Sequence, residues 1–111
     1  MQLHHKSAMG KLSRNRGKNV ELAIAREIPG ASRNHFEAED LRHSILSIEV
    51  KHRKGMPKIL LGWLSQCRSA AEDGKIPVLV VHEAQQKYED AAVIMDVKSL
   101  RRLLERGEES Q

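Results

Sequence analysis

Three breaks decide what this chain can fold into: Pro29-Gly30, Gly55-Met56-Pro57 and Gly74. Proline and glycine at such points end helices and open turns, so every regular element must fit between them. Before the first break, a helix is expected from Arg14–Lys18 to Ile28, with Val20, Ala23, Ile24 and Ile28 on one apolar arc. Glu21 falls at the edge of that arc, and Glu27 falls inside it, which this simple picture leaves unexplained. Residues 31–43 read as a short strand or two with a loop, carrying the acidic knot Glu37, Glu39 and Asp40. In Ser44–Arg53, Leu46, Ile48 and Val50 alternate with Ser47, Glu49, Lys51 and Arg53, the period of a strand.

Pro57 suits the first turn of a second helix, expected to run to about Asp73 with Gly74 as its C-terminal cap. Leu60, Trp63, Leu64, Cys67, Ala70 and Ala71 share one face of it. The apolar run Ile76–His82 reads as a strand buried on both faces. A polar turn over 83–90, a strand over Ala91–Val97 and a helix over Ser99–Arg106 complete the chain. The order α, β, β, α, β, β, α predicts an α/β domain, a central mixed β-sheet flanked by helices.

A length of 111 residues suffices for one domain with a real core and not for two. The organisation expected is a flexible basic arm over 1–13, a single domain over 14–106 and an acidic tail over 107–111. No hydrophobic leader segment follows Met1 and no apolar run approaches the roughly 20 residues of a membrane span. The lone Cys67 excludes an intramolecular disulfide and suggests a reducing, cytoplasmic setting, with the thiol read as a structural one. The histidines show no metal-ligand spacing, and no glycine-rich phosphate loop supports a nucleotide cofactor.

Charge is more informative. Lys6, Lys11, Arg14, Arg16 and Lys18 precede Asn19 with no acid among them, so all 15 acids lie beyond that point. Lys51, Arg53, Lys54 and Lys58 form a second basic cluster. Two localised patches on a small domain point to a polyanion, most plausibly nucleic acid. With Phe36, Trp63 and Tyr88 as the only aromatics, stacking of single-stranded bases is poorly supplied.

Between the patches lies the chemistry. Glu49 and Lys51, two apart on a strand, project from one face. On an exposed edge such a pair is ordinary and worth little. Here the strand is otherwise rich in Leu, Ile and Val, and Asp40 just upstream can be brought beside Glu49. Two converging carboxylates repel unless a cation sits between them, and Mg²⁺ accepts that set together with waters and a substrate phosphate. Lys51 can then orient or help deprotonate the attacking water and offset charge on the phosphate, and Glu21 can add a third carboxylate.

Asp40 followed by Glu49-Val50-Lys51 resembles the D…(D/E)-x-K signature of the PD-(D/E)XK nuclease superfamily. "RGKNVE" (Arg16 to Glu21), opening a helix, is similar to the first motif of archaeal and phage Holliday junction resolvases, a basic start with a glycine and a glutamate four residues on (Gly17, Glu21). "IEVKHRK" is similar to their basic tail after the lysine. The resemblance runs from about Arg14 to Glu83 and implies a restriction-endonuclease-like fold. It also implies a stand-alone, Mg²⁺-dependent endonuclease (Mn²⁺ able to substitute) that resolves four-way DNA junctions as a homodimer by paired nicks leaving 5′-phosphates. Its setting would be the cytoplasm of a prokaryotic or phage-infected cell. Asp40, Glu49 and Glu21 would hold the metal, and Lys51 would serve the water. Lys11, Arg14, Arg16, Lys18, Arg33, Arg53, Lys54 and Lys58 would grip DNA, with Ser32 and Gln66 as accessory residues. The proline that often precedes the aspartate is absent from "EAEDL", so Glu37 or Glu39 stays open as the ligand. Two other readings stay open: a relative acting on duplex or other branched DNA, and a non-catalytic DNA-binding module. The dimer contact is expected around Ile59, Leu61 and the last helix.

Overall fold

The structure, a computed structural model, describes residues 17–33 and 40–109. The chain divides into two compact units, Met1–Arg53 and Lys54–Gln111. No described helix is long and apolar enough to cross a membrane.

In the first unit, helix α1 covers residues 17–27. Gly17, Val20, Glu21, Ile24, Ala25 and Ile28 are buried or half-buried, while Ala23 and Glu27 are exposed. These six lie on one continuous arc at helical spacing. The packed face is therefore turned from the expected one: Ala25 replaces Ala23, Glu21 moves inside and Glu27 moves out. That rotation sets the Glu21 carboxylate against Arg33. The helix ends at Pro29-Gly30, where the Ala31 N–H donates to the Ile28 carbonyl at 3.0 Å. Gly30 takes φ +82°, and a Cβ there would press on the His43 ring at 3.4 Å, so this turn requires glycine.

Strands β1 (Ser32–Arg33) and β2 (Leu41–Arg42) pair antiparallel, Ser32 opposite Arg42 and Arg33 opposite Leu41. The long strand expected over Ser44–Arg53 is absent; its pairing is a single antiparallel bridge, Leu41 to Ile48. The alternation itself persists, with Leu46, Ile48 and Val50 half-buried and Ser47, Glu49 and Lys51 exposed. Side chains have taken the backbone donors a ladder needs. His43 Nδ1 accepts from the Ile45 and Leu46 N–H groups at 3.2 Å each, and Asp40 accepts from the Val50 N–H. Because Nδ1 accepts, the ring proton sits on Nε2, which donates to the Pro29 carbonyl at 2.9 Å.

In the second unit, helix α2 spans Lys58–Ala70, ending three residues before the expected Asp73. Ala71 is already extended, and Gly74 (φ +82°) serves the next turn, where the Lys75 N–H donates to the Glu72 carbonyl at 3.0 Å. Of the expected face, Leu60, Leu64, Cys67 and Ala71 are half-buried, while Trp63 and Ala70 are exposed.

Strand β3 (Leu79–Val81) pairs antiparallel with β4 (Ala92–Ile94). The run expected to be buried on both faces is instead one strand of a ribbon: Leu79 and Val81 are half-buried, while Val80 and its cross-strand partner Val93 are 60% and 62% exposed. Pro77, with no N–H to give a ladder, keeps the strand from starting at Ile76. The strands of the described residues form two separate two-stranded antiparallel sheets.

Helix α3 spans Val97–Glu109, longer at both ends than expected. Its start is set by Asp96, whose Oδ1 accepts from the Ser99 N–H at 2.8 Å, the bond of a helix N-cap. Asp96 Oδ2 takes the Arg68 Nε at 3.2 Å, tying α3 to α2. At the turn between α2 and β3, the Gly74 carbonyl accepts from Arg102 and Arg106. Hydrogen bonds from Ser99, and more weakly the charges of Arg68 and Lys98, hold the Asp96 carboxyl below its ordinary pKa against the opposing pull of partial burial. A depressed folded-state pKa adds stability above the unfolded value that is lost as pH falls through the folded one. Asp96→Ala is therefore expected to cost about 1 kcal/mol at pH 7, with the difference from wild type shrinking below about pH 4. Urea titrations at pH 7 and pH 3 check this; an equal difference at both would refute the role of the charge.

Candidate active site

All four residues expected to carry chemistry lie in the first unit. Asp40 is placed by its backbone as much as by its side chain. Its N–H and that of Leu41 both donate to the Ile48 carbonyl, at 3.1 and 3.3 Å. Two residues set against one is the pattern of a β-bulge, a device that re-aims a side chain and gathers next to active sites. The re-aimed carboxylate reaches forward, its Oδ2 accepting from the Val50 N–H at 2.5 Å. Asp40 is thus clasped to the segment that carries Glu49 and Lys51, ten residues along the chain.

Lys51 Nζ lies 2.8 Å from Glu49 Oε1, with the two side chains 81% and 67% exposed. The hydrogen bond and charge of Glu49, with a smaller contribution from the charge of Asp40, raise the Lys51 pKa above its ordinary value. The charges of Glu49 and Asp40 thus both act on Lys51. Paired with Glu49, Lys51 stands as a cation beside a carboxylate.

Glu21 does not join them. Its Oε2 sits 3.5 Å from Arg33 Nε, and both side chains are only about a quarter exposed (24% and 26%). The contact is an ion pair without a hydrogen bond, because the buried Arg33 Nε has no acceptor in line. Among the described residues, no group of three or more His, Cys, Asp and Glu side chains could hold a metal ion. Asp40 and Glu49 are carboxylates of the kind Mg²⁺ takes when waters and a phosphate complete its shell, and here each is engaged otherwise, Asp40 by the Val50 N–H and Glu49 by Lys51.

The remaining candidates are scattered. Lys18, Arg53, Lys54 and Lys58 are exposed, the last two in the second unit, and Ser32 is exposed on β1. Arg33, expected to face DNA, is instead engaged by Glu21. Gln66 lines a cavity of about 530 Å³ with Trp63, Cys67, Leu79, Val81 and His82, within the second unit. Lys11, Arg14, Arg16, Glu37 and Glu39 lie outside the described residues. Sequence reasoning missed the Val50 N–H that holds Asp40 and the partnership of Glu21 with Arg33. The first left no signal, since any non-proline residue offers that donor. The second was half-visible in the position of Glu21 at the edge of the packed arc.

The chain matches no protein-family model, no curated protein and no solved structure.

Proposed function

We propose that the protein is a Mg²⁺-dependent, structure-selective DNA endonuclease of the Holliday junction resolvase type, with a restriction-endonuclease-like fold. The observation that carries this reading is the clasp of Asp40 onto the backbone at Val50, between Glu49 and Lys51 in sequence. It ties Asp40 to the segment that carries Glu49 and Lys51, and two carboxylates with a lysine are the inventory of a phosphodiesterase. Asp40 and Glu49 would hold the metal, which when bound supplies a polarised phosphate and an activated water. Lys51 keeps its proton, orients the water and offsets negative charge as the phosphate is attacked. The exposed cations Lys18, Arg53, Lys54 and Lys58 are available to the DNA backbone, so binding should weaken steeply with salt.

Paired nicks on two opposed strands need two active sites related by a two-fold axis, which a homodimer provides. Ile59, Leu61 and, on α3, Leu103 are exposed apolar residues suited to such an interface. The exposure of the Glu49–Lys51 pair and the withdrawal of Glu21 favour a second reading, a DNA-binding module without catalysis.

Cleavage of a labelled four-way junction, beside linear duplex and single strand, separates these readings. Wild type in Mg²⁺ is expected to nick the junction symmetrically and to be silent in EDTA. Asp40→Asn keeps an oxygen for the Val50 N–H but removes the charge, so it should fold normally and lose at least about 10²-fold in rate. Equal cutting of duplex would remove the junction selectivity. Binding by both proteins with cutting by neither would establish the module instead.

A further inference from the structure

The His43 ring joins two stretches of the first unit through backbone groups. Its Nε2–H donates to the Pro29 carbonyl at 2.9 Å, and its Nδ1 accepts from the Ile45 and Leu46 N–H groups at 3.2 Å each. The ring lies against Gly30, where a Cβ would come within 3.4 Å of Nε2. Two donors aimed at Nδ1 require a lone pair there, so this arrangement belongs to the neutral ring. A second proton goes onto Nδ1, turns the acceptor into a donor and sets three N–H groups against one another. Histidine is the side chain whose ordinary pKa, about 6.5, puts that change within the physiological range. The ring is half-buried, so water reaches it. The charged side chains on the neighbouring elements are Glu27 at the end of α1, Arg33 on β1, Asp40 and Arg42 on either side of Leu41, and Glu49 and Lys51 farther along. Arg33 is paired with Glu21, Asp40 is taken by the Val50 N–H and Glu49 by Lys51. The bonds of the ring go to backbone groups, and a carboxylate that would hold the charged form in place is not among them.

We propose that His43 is a pH-sensitive brace: the neutral ring fastens residues 45 and 46 to the Pro29-Gly30 turn, and protonation releases them. Residues 44–50 have no strand ladder to fall back on beyond the bridge at Ile48. What still holds them is the Ile48 carbonyl, which accepts from the Asp40 and Leu41 N–H groups, and the Val50 N–H, which donates to Asp40. The freed amides turn to water, Ile45 being exposed and Leu46 half-buried, so release needs no unfolding of the core at Leu41. Glu49 and Lys51 lie just beyond, and acidification therefore loosens the stretch that presents them. The brace is a property of the fold and stands whether or not that stretch cleaves DNA.

Exchange of backbone amides with water, followed by ¹⁵N NMR at pH 7.5 and 5.5 and corrected for the intrinsic rate, tests this on the full chain. Protection of the Ile45 and Leu46 N–H groups is expected to fall about tenfold at the lower pH, the scale of one ordinary hydrogen bond. The Leu100 N–H, which donates to the Asp96 carbonyl in the second unit, should keep its protection. Nitrogen shifts of the His43 ring at pH 7.5 should show the Nε2–H tautomer, and the midpoint of the ring's titration should coincide with that of the amide change. In His43→Asn the side-chain Oδ1 stands in for Nδ1 as acceptor and takes up no proton in this range, so protection should be equal at both pH values. His52 and the other histidines are retained in that variant, and a pH response belonging to them survives in it. Where His43→Asn folds poorly, the coincidence of the two midpoints in wild type carries the test. An Nδ1–H tautomer at pH 7.5, equal wild-type protection at both pH values, midpoints that differ, or a fall that persists in His43→Asn overturns the brace.

Discussion

Lys51→Ala protein is expected to nick a four-way junction about 10³-fold more slowly than wild type, the loss seen when one charge-stabilising donor leaves a transition state. Its binding to the same junction in EDTA should stay within about threefold, the loss of one phosphate-range cation among many. On the proposed reading Lys51, paired with Glu49, serves as a cation. Lys51→Arg should therefore recover part of the rate, roughly a tenth of wild type, since the charge returns with different geometry. A proton-accepting lysine would give the opposite pattern, with arginine as dead as alanine. Glu49→Ala should lose at least as much as Lys51→Ala and, unlike it, should also lose Mn²⁺ binding. Wild-type rates in both alanine variants would end the assignment of this group as the active site. The exposure of both side chains means that neither substitution should move the urea midpoint, so a loss of rate could not be ascribed to unfolding.

Leu41→Ala is the second large effect, and it acts through stability. Leu41 is 0% exposed, and with Ala25 and Ile28 it makes up the buried apolar core of the described residues. Removing a buried leucine side chain costs about 2–5 kcal/mol when the surroundings cannot close over the space. That is a large part of the 5–15 kcal/mol that holds an ordinary domain together. Leu41 also carries the bridge to Ile48, and its N–H is one of the two that define the bulge. The substitution should therefore lower the urea midpoint and abolish cleavage together. Leu41→Met, close in volume, should cost less than about 1.5 kcal/mol and keep activity. A midpoint unchanged in Leu41→Ala would show that this residue does not anchor the first unit.

The two experiments differ in what they touch. Lys51 was legible from a period of two in an apolar run, because alternation alone puts Glu49 and Lys51 on one side, and the burial of Leu46, Ile48 and Val50 against Ser47, Glu49 and Lys51 follows it. Leu41 was not singled out. Nothing in "EDLRHS" marks that leucine as more buried than its neighbours Leu46 or Ile48, since burial depends on which segments meet there.

The breaks at Pro29-Gly30 and Gly74, the three helices and the pairing of Glu49 with Lys51 were determined by the sequence alone. They depend on local preferences and short spacings that a chain carries wherever it folds. The packed side of α1, the bulge at Asp40, the exposure of Val80 and Val93 and the hold of Arg33 on Glu21 were decided only by tertiary structure. Each depends on which distant group arrives to take a backbone donor, fill a face or neutralise a charge. His43 and Asp40 claim the N–H groups of Ile45, Leu46 and Val50, and so a segment with the pattern of a strand becomes a braced loop that presents the candidate site.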